Sequence, residues 1–357
     1  MSVVDLSLVE KSRPVDKLFA SPLISIVITH HNYSKHLKGA IESILGQTHT
    51  NWECVVVDDF SDRDHRQEAV KIVEEINDKR VTILLSESNA GQVPTFFAGL
   101  ARTSGEFVCP LDPDDRYMPT FLEDSLAAHL NLHVMTPIVC SDQVLVTKRG
   151  PIGSGQQFAM YRPAMSSRGV ALEIPEGQKP SLLFFDASVP GWHYTSTSSM
   201  MFRRTAINYM KPQKALLYKR CVDSYLARGC HLLGGTLFLG KALVYRMLHE
   251  NNSFISDAIY ASSQDKGRPD STRWAKEIHH DVIEALLASA LPEEVKDRIG
   301  KVKYDPKRGA FHQVKRWARS IKKRLLWPGI KKRQLATVGA KPAVATRQIQ
   351  EGSRLIG

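Results

Sequence analysis

Long apolar runs are absent from this sequence, and none approaches the roughly 20 residues that a membrane-spanning helix needs. The opening stretch, MSVVDLSLVEKSRPVDKLF, mixes charged and apolar residues and lacks the apolar core of a signal peptide. Cysteine is scarce, and five residues at irregular spacing with no C-x-x-C pair exclude a disulfide framework. We therefore expect reduced, mostly buried thiols in a cytoplasmic protein.

Acidic residues are nearly absent from the C-terminal part of the chain. Residues 301–335 hold 13 Lys and Arg against one acid, Asp305, and residues 336–357 add two net positive charges. The overall net charge of +11 therefore leaves −3 for residues 1–300. The interleaved Trp and Leu of FHQVKRWARSIKKRLLWPGIKKR fit a helix lying on an anionic membrane surface. Nucleic-acid binding and a solvated tail are the alternatives.

The body of the chain alternates strand-like and helical segments up to about residue 146. The early strands are apolar on both faces, which is typical of a mostly parallel sheet covered by helices. The predicted strands are LISIVIT, WECVVVDD, RVTILLS, EFVCPL and PIVCSDQVLV. Beyond the aperiodic residues 147–195, a helix around RCVDSYLARGC precedes two strand-like runs, HLLGGTLFL and KALVYRML.

Polar clusters follow three of these strands: THHN follows the first, DDFSD the second and DPDD the fourth. Ligands of open α/β sheets bind beyond the carboxyl ends of the strands. DPDD crowds Asp112, Asp114 and Asp115 into four positions, where like charges raise one another's pKa values. One interpretation is a turn built on proline. The other is a D-x-D site for Mg²⁺ or Mn²⁺, in which Pro113 stiffens the link between the ligands.

Single residues outside this cluster support two interpretations each. Asp59 is either a helix cap or an acceptor of hydrogen bonds from a nucleobase or ribose. Asp223 lies in the middle of a predicted helix, where it either faces solvent or acts as a base on a partly buried face. His249 follows a strand and is either structural or a contact for a metal or a diphosphate.

Together these blocks resemble the family 2 glycosyltransferases, which have the GT-A (Rossmann-like) fold. ISIVITHHNYSKHLKGAIESILGQTHTNWECVVVDDFSD is similar to that family's opening, and NAGQVPTFFAGLARTSGEFVCPLDPDDRYMP to its next block, which ends in D-x-D-D. SMMFRRTAI, VDSYLARGC and YRMLHENNS follow in the family's order, so the resemblance covers about residues 22–255. It implies inverting transfer of a sugar from a nucleoside-diphosphate donor to a glycan or lipid-linked acceptor in cell-surface polysaccharide synthesis.

The resemblance implies roles for four residues in metal binding and catalysis. Asp112 and Asp114 would hold Mn²⁺ or Mg²⁺ against the donor diphosphate, with Asp114 as the direct ligand. His249 would contact the metal or the diphosphate. Asp223 would be the general base that takes the proton of the acceptor hydroxyl.

For the nucleotide, the resemblance implies that Asp59 contacts the donor base and that Thr29 and His31 line the base and ribose. Two departures stand out. The family often has an aromatic residue where this chain has His31, and often has Arg-Asn where this chain has Phe96 and Phe97. A UDP-sugar is the expected donor, although these departures weaken the assignment of uracil.

The resemblance divides the chain into five parts. They are an N-terminal extension (1–21), a nucleotide-sugar-binding α/β half (22–146), an acceptor-binding and catalytic-base half (147–255), a helical region (256–304) and a basic tail (305–357). The expected fold class is therefore an α/β protein of the GT-A type with a helical, basic C-terminal extension.

The acceptor side and the tail complete these expectations. Trp192 and His193, in the loop 147–195, suit an acceptor sugar, although a plain surface loop is the alternative. Lipid-linked acceptors favour an anionic membrane surface for the tail, so no nucleic acid partner is expected and the protein would be peripheral on the inner face of the cell membrane. Two other functions remain open: a non-catalytic sugar-nucleotide or glycan-binding protein of the same fold, and a nucleotidyltransferase. The latter usually has a Gly-rich phosphate loop near the first strand, which THHNYSKHLKG is not.

Overall fold

The computed structural model describes seven stretches of the chain. They are residues 3–5, 21–131, 134–148, 150–154, 182–188, 194–249 and 271–302. The predictions for Trp192, His193 and the basic tail lie outside these described residues. The division of the chain into five parts stays a prediction.

The described strands are β1 (Val3–Asp5), β2 (Ile24–His30), β3 (Trp52–Asp58), β4 (Val81–Leu85), β5 (Phe107–Leu111), β6 (Arg116–Tyr117), β7 (Ile138–Thr147), β8 (Gly150–Ser154), β9 (Leu182–Phe185), β10 (Met200–Arg203) and β11 (Thr236–Met247). The described helices are α1 (Ser34–Leu45), α2 (Arg63–Ile76), α3 (Gln92–Leu100), α4 (Phe121–His129), α5 (Arg204–Asn208), α6 (Val222–Gly234), α7 (Ser271–Ala288) and α8 (Glu293–Gly300). Thr197–Ser199 form a 3₁₀ turn.

The described strands form one mixed sheet of order β1-β9-β11-β7-β10-β5-β2-β3-β4, with β6 beside β11 and β8 beside β7. Strands β4, β3, β2 and β5 pair in parallel, and so do β7 and β11. Because β10 is antiparallel to both β5 and β7, these six strands all run in one direction. The predicted α/β architecture, a mostly parallel sheet flanked by helices, is confirmed.

Apolar residues on both faces of the sheet explain why the early strands read as continuous hydrophobic runs. Side chains alternate along β2, so Ile26 packs with Leu37 of α1 on one face, whereas Val27 packs with Val55 and Phe96 on the other. Each fully buried aliphatic side chain of this kind stabilises the fold by about 1.5–3 kcal/mol. The two helical layers thereby fix the position of the strand ends.

One local feature differs from the sequence prediction. The two predicted strands HLLGGTLFL and KALVYRML form one long strand, β11, because helix α6 continues through the first four residues of the former. Gly235 ends that helix with φ +80, and a Cβ there would lie 2.5 Å from the carbonyl oxygen of Phe185.

All five cysteines are free, and all but Cys221 are buried, as the sequence predicts. Among the described helices, none combines the length and the apolar character that crossing a membrane requires.

Candidate active site

The segment that follows β5 is a tight turn that gathers three carboxylates. The backbone N–H of Asp115 donates to the carbonyl of Asp112 over 3.1 Å, and Pro113 occupies the second position, where its fixed φ suits a turn. Oxygen atoms of Asp112, Asp114 and Asp115 lie within 4.8 Å of one another. The two interpretations of DPDD are thus compatible, because the proline turn is what brings the acids together.

Protein donors satisfy these acids unequally. Ser198 donates from Oγ to Oδ2 of Asp115 over 2.6 Å and accepts from the backbone N–H of Asp112 over 3.1 Å. The backbone N–H of Met247 donates to the other oxygen of Asp115 over 3.1 Å. Oδ1 of Asp112, by contrast, is buried without a hydrogen-bond partner among the described residues. Asp115 is therefore bonded through both of its oxygens, whereas the side chain of Asp112 is hydrogen-bonded by Thr197 but leaves Oδ1 without a partner among the described residues.

The electrostatics of the cluster match that geometry. Burial raises the pKa of Asp112 well above its usual range, and the charges of Asp114, Asp115 and Asp223 raise it further. Burial and the charge of Asp114 raise the pKa of Asp115 to about 7, although Arg246 opposes the shift. Hard carboxylate oxygens without enough donors are the ligands that Mg²⁺ and Mn²⁺ prefer, so the residues present fit such a cation.

His249 lies against this cluster because of the pairing of β11. Strand β11 runs antiparallel to β6, with Tyr245 opposite Arg116, so the residues after β11 pass over the turn that precedes β6. Nε2 of His249 donates to Oδ2 of Asp114 over 2.9 Å. Its ring stacks on that of His36, with centroids 4.9 Å apart and planes 11° apart. The structure thus brings the predicted metal contact to the predicted ligand.

Asp223 lies in the first turn of α6, so its predicted position in the middle of a helix is wrong. The error arises because Cys221 adopts a left-handed conformation, φ +77, which starts the helix at Val222. Burial raises the pKa of Asp223 above its ordinary value. Its charge in turn raises the pKa of Asp112, which places the two carboxylates in the same site.

The acids after β3 are bound within the protein. Oδ1 and Oδ2 of Asp59 accept the backbone N–H groups of Ala90 and Gly91 over 2.7 and 2.8 Å. Asp59 is nearly buried, at 5% exposure, and holds the loop between β4 and α3. Its predicted contact with the donor base stays a prediction.

The remaining predicted nucleotide contacts lie at the end of β2. Thr29 is buried opposite Val57 of β3, whereas His31 is exposed just beyond the strand. Nδ1 of His31 donates to the carbonyl of Asp59 over 3.0 Å, and the side-chain amide of Asn89 lies 3.4 Å from the ring. Of these positions, His31 and Asn89 present polar atoms toward solvent.

The two phenylalanines that depart from the family pattern have structural roles. Phe96 is fully buried in the core between α3 and the sheet. Phe97 packs edge-on against Tyr225 of α6, with centroids 6.4 Å apart. These positions join α3 to its neighbours by apolar contact, so they supply no polar group to a nucleotide.

Sequence reasoning missed several residues of the site. Thr197 and Ser198, which bond the acid turn, come from the run YTSTSS, which is buried in the structure; its succession of hydroxyl residues is the sequence signal that could have indicated them. Arg246 and His36 also act on the cluster through charge and stacking. The sequence alone does not indicate which side chains a basic or aromatic residue of a strand or helix will contact in the folded protein.

Comparison with known proteins supports the family resemblance over part of the chain. Residues 25–169, less than half of the chain, match the sequence model described as glycosyl transferase family 2. This segment is similar to a family 2 glycosyltransferase domain. The match includes the strands β2, β3 and β5 and the acid turn, and the mostly parallel sheet agrees with the fold that the sequence resemblance implies.

Individual relatives cover the chain to different extents. A protein of Nostoc named as an uncharacterized glycosyltransferase is 28% identical over 247 residues, which is 68% of this chain and 70% of that protein. The Escherichia coli enzyme WfgD, named as a UDP-Glc:α-D-GlcNAc-diphosphoundecaprenol β-1,3-glucosyltransferase, is 30% identical over 112 residues, which span 43% of its length. The structure of Staphylococcus aureus TarS 1–349 with UDP-GlcNAc has a TM-score of 0.49 at 18% identity, covering 77% of this chain and 70% of that one.

Proposed function

We propose that this chain is an inverting glycosyltransferase that moves a sugar from a nucleoside-diphosphate donor to a hydroxyl of a glycan or lipid-linked acceptor in cell-surface polysaccharide synthesis. One observation carries the proposal: a half-buried carboxylate in the first turn of α6, Asp223, lies within electrostatic reach of an acid turn in which Oδ1 of Asp112 has no hydrogen-bond partner among the described residues. Two chemically different acidic groups thus share one site at the carboxyl edge of the sheet. Such a site suits one group that holds a cation and another that moves a proton.

Asp112 and Asp114 would hold Mn²⁺ or Mg²⁺, which neutralises the charge that develops on a leaving diphosphate. The support is the donor set itself, which consists of carboxylate oxygens within 4.8 Å of one another. His249 donates to Asp114 and is the fourth group at this position. Asp115 is bonded to Ser198 and Met247, and it keeps the turn in shape.

Asp223 would take the proton of the acceptor hydroxyl while that oxygen attacks the anomeric carbon. The bond between this carbon and the diphosphate oxygen breaks, and its electron pair leaves with the diphosphate. Attack from the opposite face inverts the configuration without a covalent intermediate. Burial raises the pKa of Asp223, and a base with a higher pKa has a stronger affinity for the proton that it must accept.

The donor and the acceptor are supported by resemblance and by relatives. The name of WfgD specifies a UDP-sugar donor and a diphosphoundecaprenol-linked acceptor, and we propose the same classes here. The base and ribose would lie at the ends of β2 and β3, beside Thr29, His31 and Asp59. We also propose that the protein is cytoplasmic and that its basic tail, residues 305–357, binds the anionic inner face of the membrane.

Transfer of labelled sugar tests the proposal. The full chain with Mn²⁺ would be offered UDP- and GDP-sugars and a polyprenyl-diphosphate-linked sugar as acceptor, and the product's anomeric configuration determined by NMR. We expect transfer with inversion, and a fall in kcat of about 10²- to 10⁴-fold for Asp223→Asn at unchanged donor affinity. Asp78→Asn, which alters an acid before β4 at the opposite edge of the sheet, is the matched control.

Two outcomes would contradict the proposal. Metal-dependent nucleotide binding without transfer to any acceptor would favour the non-catalytic alternative. Near wild-type turnover of Asp223→Asn would remove this residue from the mechanism.

A further inference from the structure

We infer that Gln92, the first residue of α3, is a positioning residue for Asp223: its side chain holds the residue from which α6 begins. The inference rests on the proposed function, in which Asp223 is the base. The hydrogen bonds described for Gln92 go to Cys221 and Lys219 rather than to the acids of the site. It acts through Cys221, two residues before Asp223 in the chain.

Three hydrogen bonds join the loop before α3 to the segment before α6. Oε1 of Gln92 accepts the backbone N–H of Cys221 over 2.9 Å, and the backbone N–H of Gln92 donates to the carbonyl of Lys219 over 2.9 Å. Nζ of Lys219 donates to the carbonyl of Asn89 over 2.7 Å. Two stretches about 130 residues apart in sequence are therefore fixed to each other at the edge of the site.

Cys221 adopts a conformation that its side chain disfavours. It precedes α6 with φ +77 and ψ +37, whereas residues at this position usually have extended angles and cap the helix with a side-chain oxygen. A residue with a Cβ carries a steric penalty in the left-handed region. Because the carbonyl of Cys221 already accepts the first helical bond, from Tyr225, this conformation decides where the first turn lies and hence where Asp223 lies.

The loop before α3 can approach the segment before α6 closely because it contains a glycine. Gly91 has φ +91, and a Cβ there would lie 2.9 Å from Cα of Lys219. Both carboxylate oxygens of Asp59 bind the backbone N–H groups of Ala90 and Gly91, so the loop is held from the opposite side as well. The side chain of Gln92 thus projects from a loop whose position β3 fixes, which makes it a rigid support for Cys221.

Packing farther along α6 does not depend on this bond. Phe97 and Tyr225 join the bodies of the two helices, and the hydroxyl of Tyr225 donates to the carbonyl of Met210 over 2.9 Å. Removal of the Gln92 side chain should therefore leave the helix in place and loosen its first turn alone. That turn contains Asp223.

The test compares Gln92→Ala with the matched control Gln67→Ala, which removes an exposed glutamine of α2. We expect Gln92→Ala to lower kcat about 10- to 100-fold at unchanged donor KM, since displacement of a catalytic group by about 1 Å has effects of this order. Hydrogen exchange should become faster at the amides of Cys221 and Tyr225, whose bonds hold the first turn, and stay unchanged toward the end of α6. Gln92→Glu, which keeps an acceptor oxygen, should retain most of the activity.

A double variant separates positioning from general damage. In Gln92→Ala combined with Cys221→Gly, the left-handed conformation no longer needs support, because glycine adopts it without a steric penalty. We expect this second change to restore most of the lost kcat and the protection of the first turn. A defect that only destabilised the fold would not be repaired by adding a glycine.

Three results would overturn the inference. Wild-type kcat in Gln92→Ala, beside a strong defect in Asp223→Asn, would leave the proposed function standing and remove Gln92. A loss of kcat that Cys221→Gly does not restore would rule out the route through Cys221. Wild-type turnover of Asp223→Asn would defeat the proposed base itself, and this inference with it.

Discussion

The ends of β3 and β5 both carry clustered acids, two after β3 and three after β5, and the protein surrounds the two groups differently. After β3, the tautomer of His30 is fixed because the backbone N–H of Tyr33 donates to its Nε2, so Nδ1 donates to Asp58 over 3.0 Å. Burial alone would raise the pKa of Asp58, but hydrogen bonds from His30 and Ser61 together outweigh it and lower the pKa. Asp59 binds two backbone N–H groups with both oxygens.

After β5, Ser198 and Met247 donate to both oxygens of Asp115, but one oxygen of Asp112 has no donor among the described residues. Burial raises the pKa values of Asp112 and Asp115, and Oδ1 of Asp112 has no hydrogen-bond partner among the described residues. Acids whose donors are built into the fold stabilise that fold, whereas crowded acids without donors have an unmet need for positive charge. Asp115 has two donors, as Asp59 has, so the two strand ends differ in the crowding of three acids after β5 and in the oxygen of Asp112 that has no partner among the described residues.

The largest effect should come from Asp114→Asn. We expect Mn²⁺-dependent affinity for UDP to fall by about 100-fold or more, since a charged ligand is lost where the charges of Asp112 and Asp115 still need a cation. The fold should keep or gain stability, because one of three crowded charges disappears. Calorimetric titration of Mn²⁺ and UDP measures the effect, with Asp78→Asn as the control. Equal affinities in all three proteins would remove the metal from this turn.

The second effect tests the end of β3. Asp59→Asn leaves one oxygen for two backbone donors and turns an NH₂ group toward the other, so one buried N–H loses its partner. We expect a loss of about 1–3 kcal/mol in the free energy of unfolding, measured by urea denaturation. Affinity for Mn²⁺ alone should not change. A stable variant with weakened Mn²⁺ binding would reverse the distinction between the two strand ends.

The third effect is a change in the free energy of unfolding with pH, measured in the absence of metal. The pKa of Asp115, about 7 in the folded protein, exceeds the value of about 3.9 in an unfolded chain, so the folded state binds more protons in between. Its contribution to stability is full below about pH 4 and is lost as the pH rises toward 7, by at most about 1.4 kcal/mol per pH unit. The pKa of Asp58 is lowered, so its contribution to stability has the opposite pH dependence. That contribution is lost only as the pH falls below about 4.

Comparison of wild type with Asp115→Asn measures the contribution of Asp115 to the pH dependence of the free energy of unfolding. Burial lowers the pKa of His129 to about 3, so that residue adds a slope of opposite sign below about pH 6.5 in both proteins. We expect the difference in unfolding free energy to change between pH 4 and 7 in favour of the variant as the pH rises. Parallel curves from urea denaturation at each pH would show that Asp115 is ionised throughout.

The smallest effect should come from Ser198→Ala. This change removes the hydroxyl that joins the backbone of Asp112 to the side chain of Asp115 without touching a proposed ligand. We expect Mn²⁺ affinity to fall about 10-fold at most, as is usual for groups that orient ligands. Ser43→Ala, which removes a hydroxyl bonded to the backbone of Tyr117, is the matched control, and equal effects would show that only the loop's stability matters.

The sequence predicts the strands well because their apolar runs are buried on both faces, and it predicts the acid turn because a parallel sheet aligns its carboxyl ends. It does not predict the partners of Asp59, since the backbone groups of Ala90 and Gly91 are chemically alike at every position of a chain. Nor does it place Asp223, because the helix begins after the left-handed Cys221, whose backbone N–H donates to Gln92 about 130 residues away. Pairings of this kind arise from tertiary structure and leave no local pattern.

The most direct test is a crystal of this protein grown with Mn²⁺ and UDP, measured at the manganese absorption edge. The account predicts an anomalous difference peak within coordination distance of oxygen atoms of Asp112 and Asp114, in contact with the diphosphate. It predicts no peak at Asp58 or Asp59. A fully occupied peak away from the turn after β5, or ordered UDP with no peak at that turn, would contradict it.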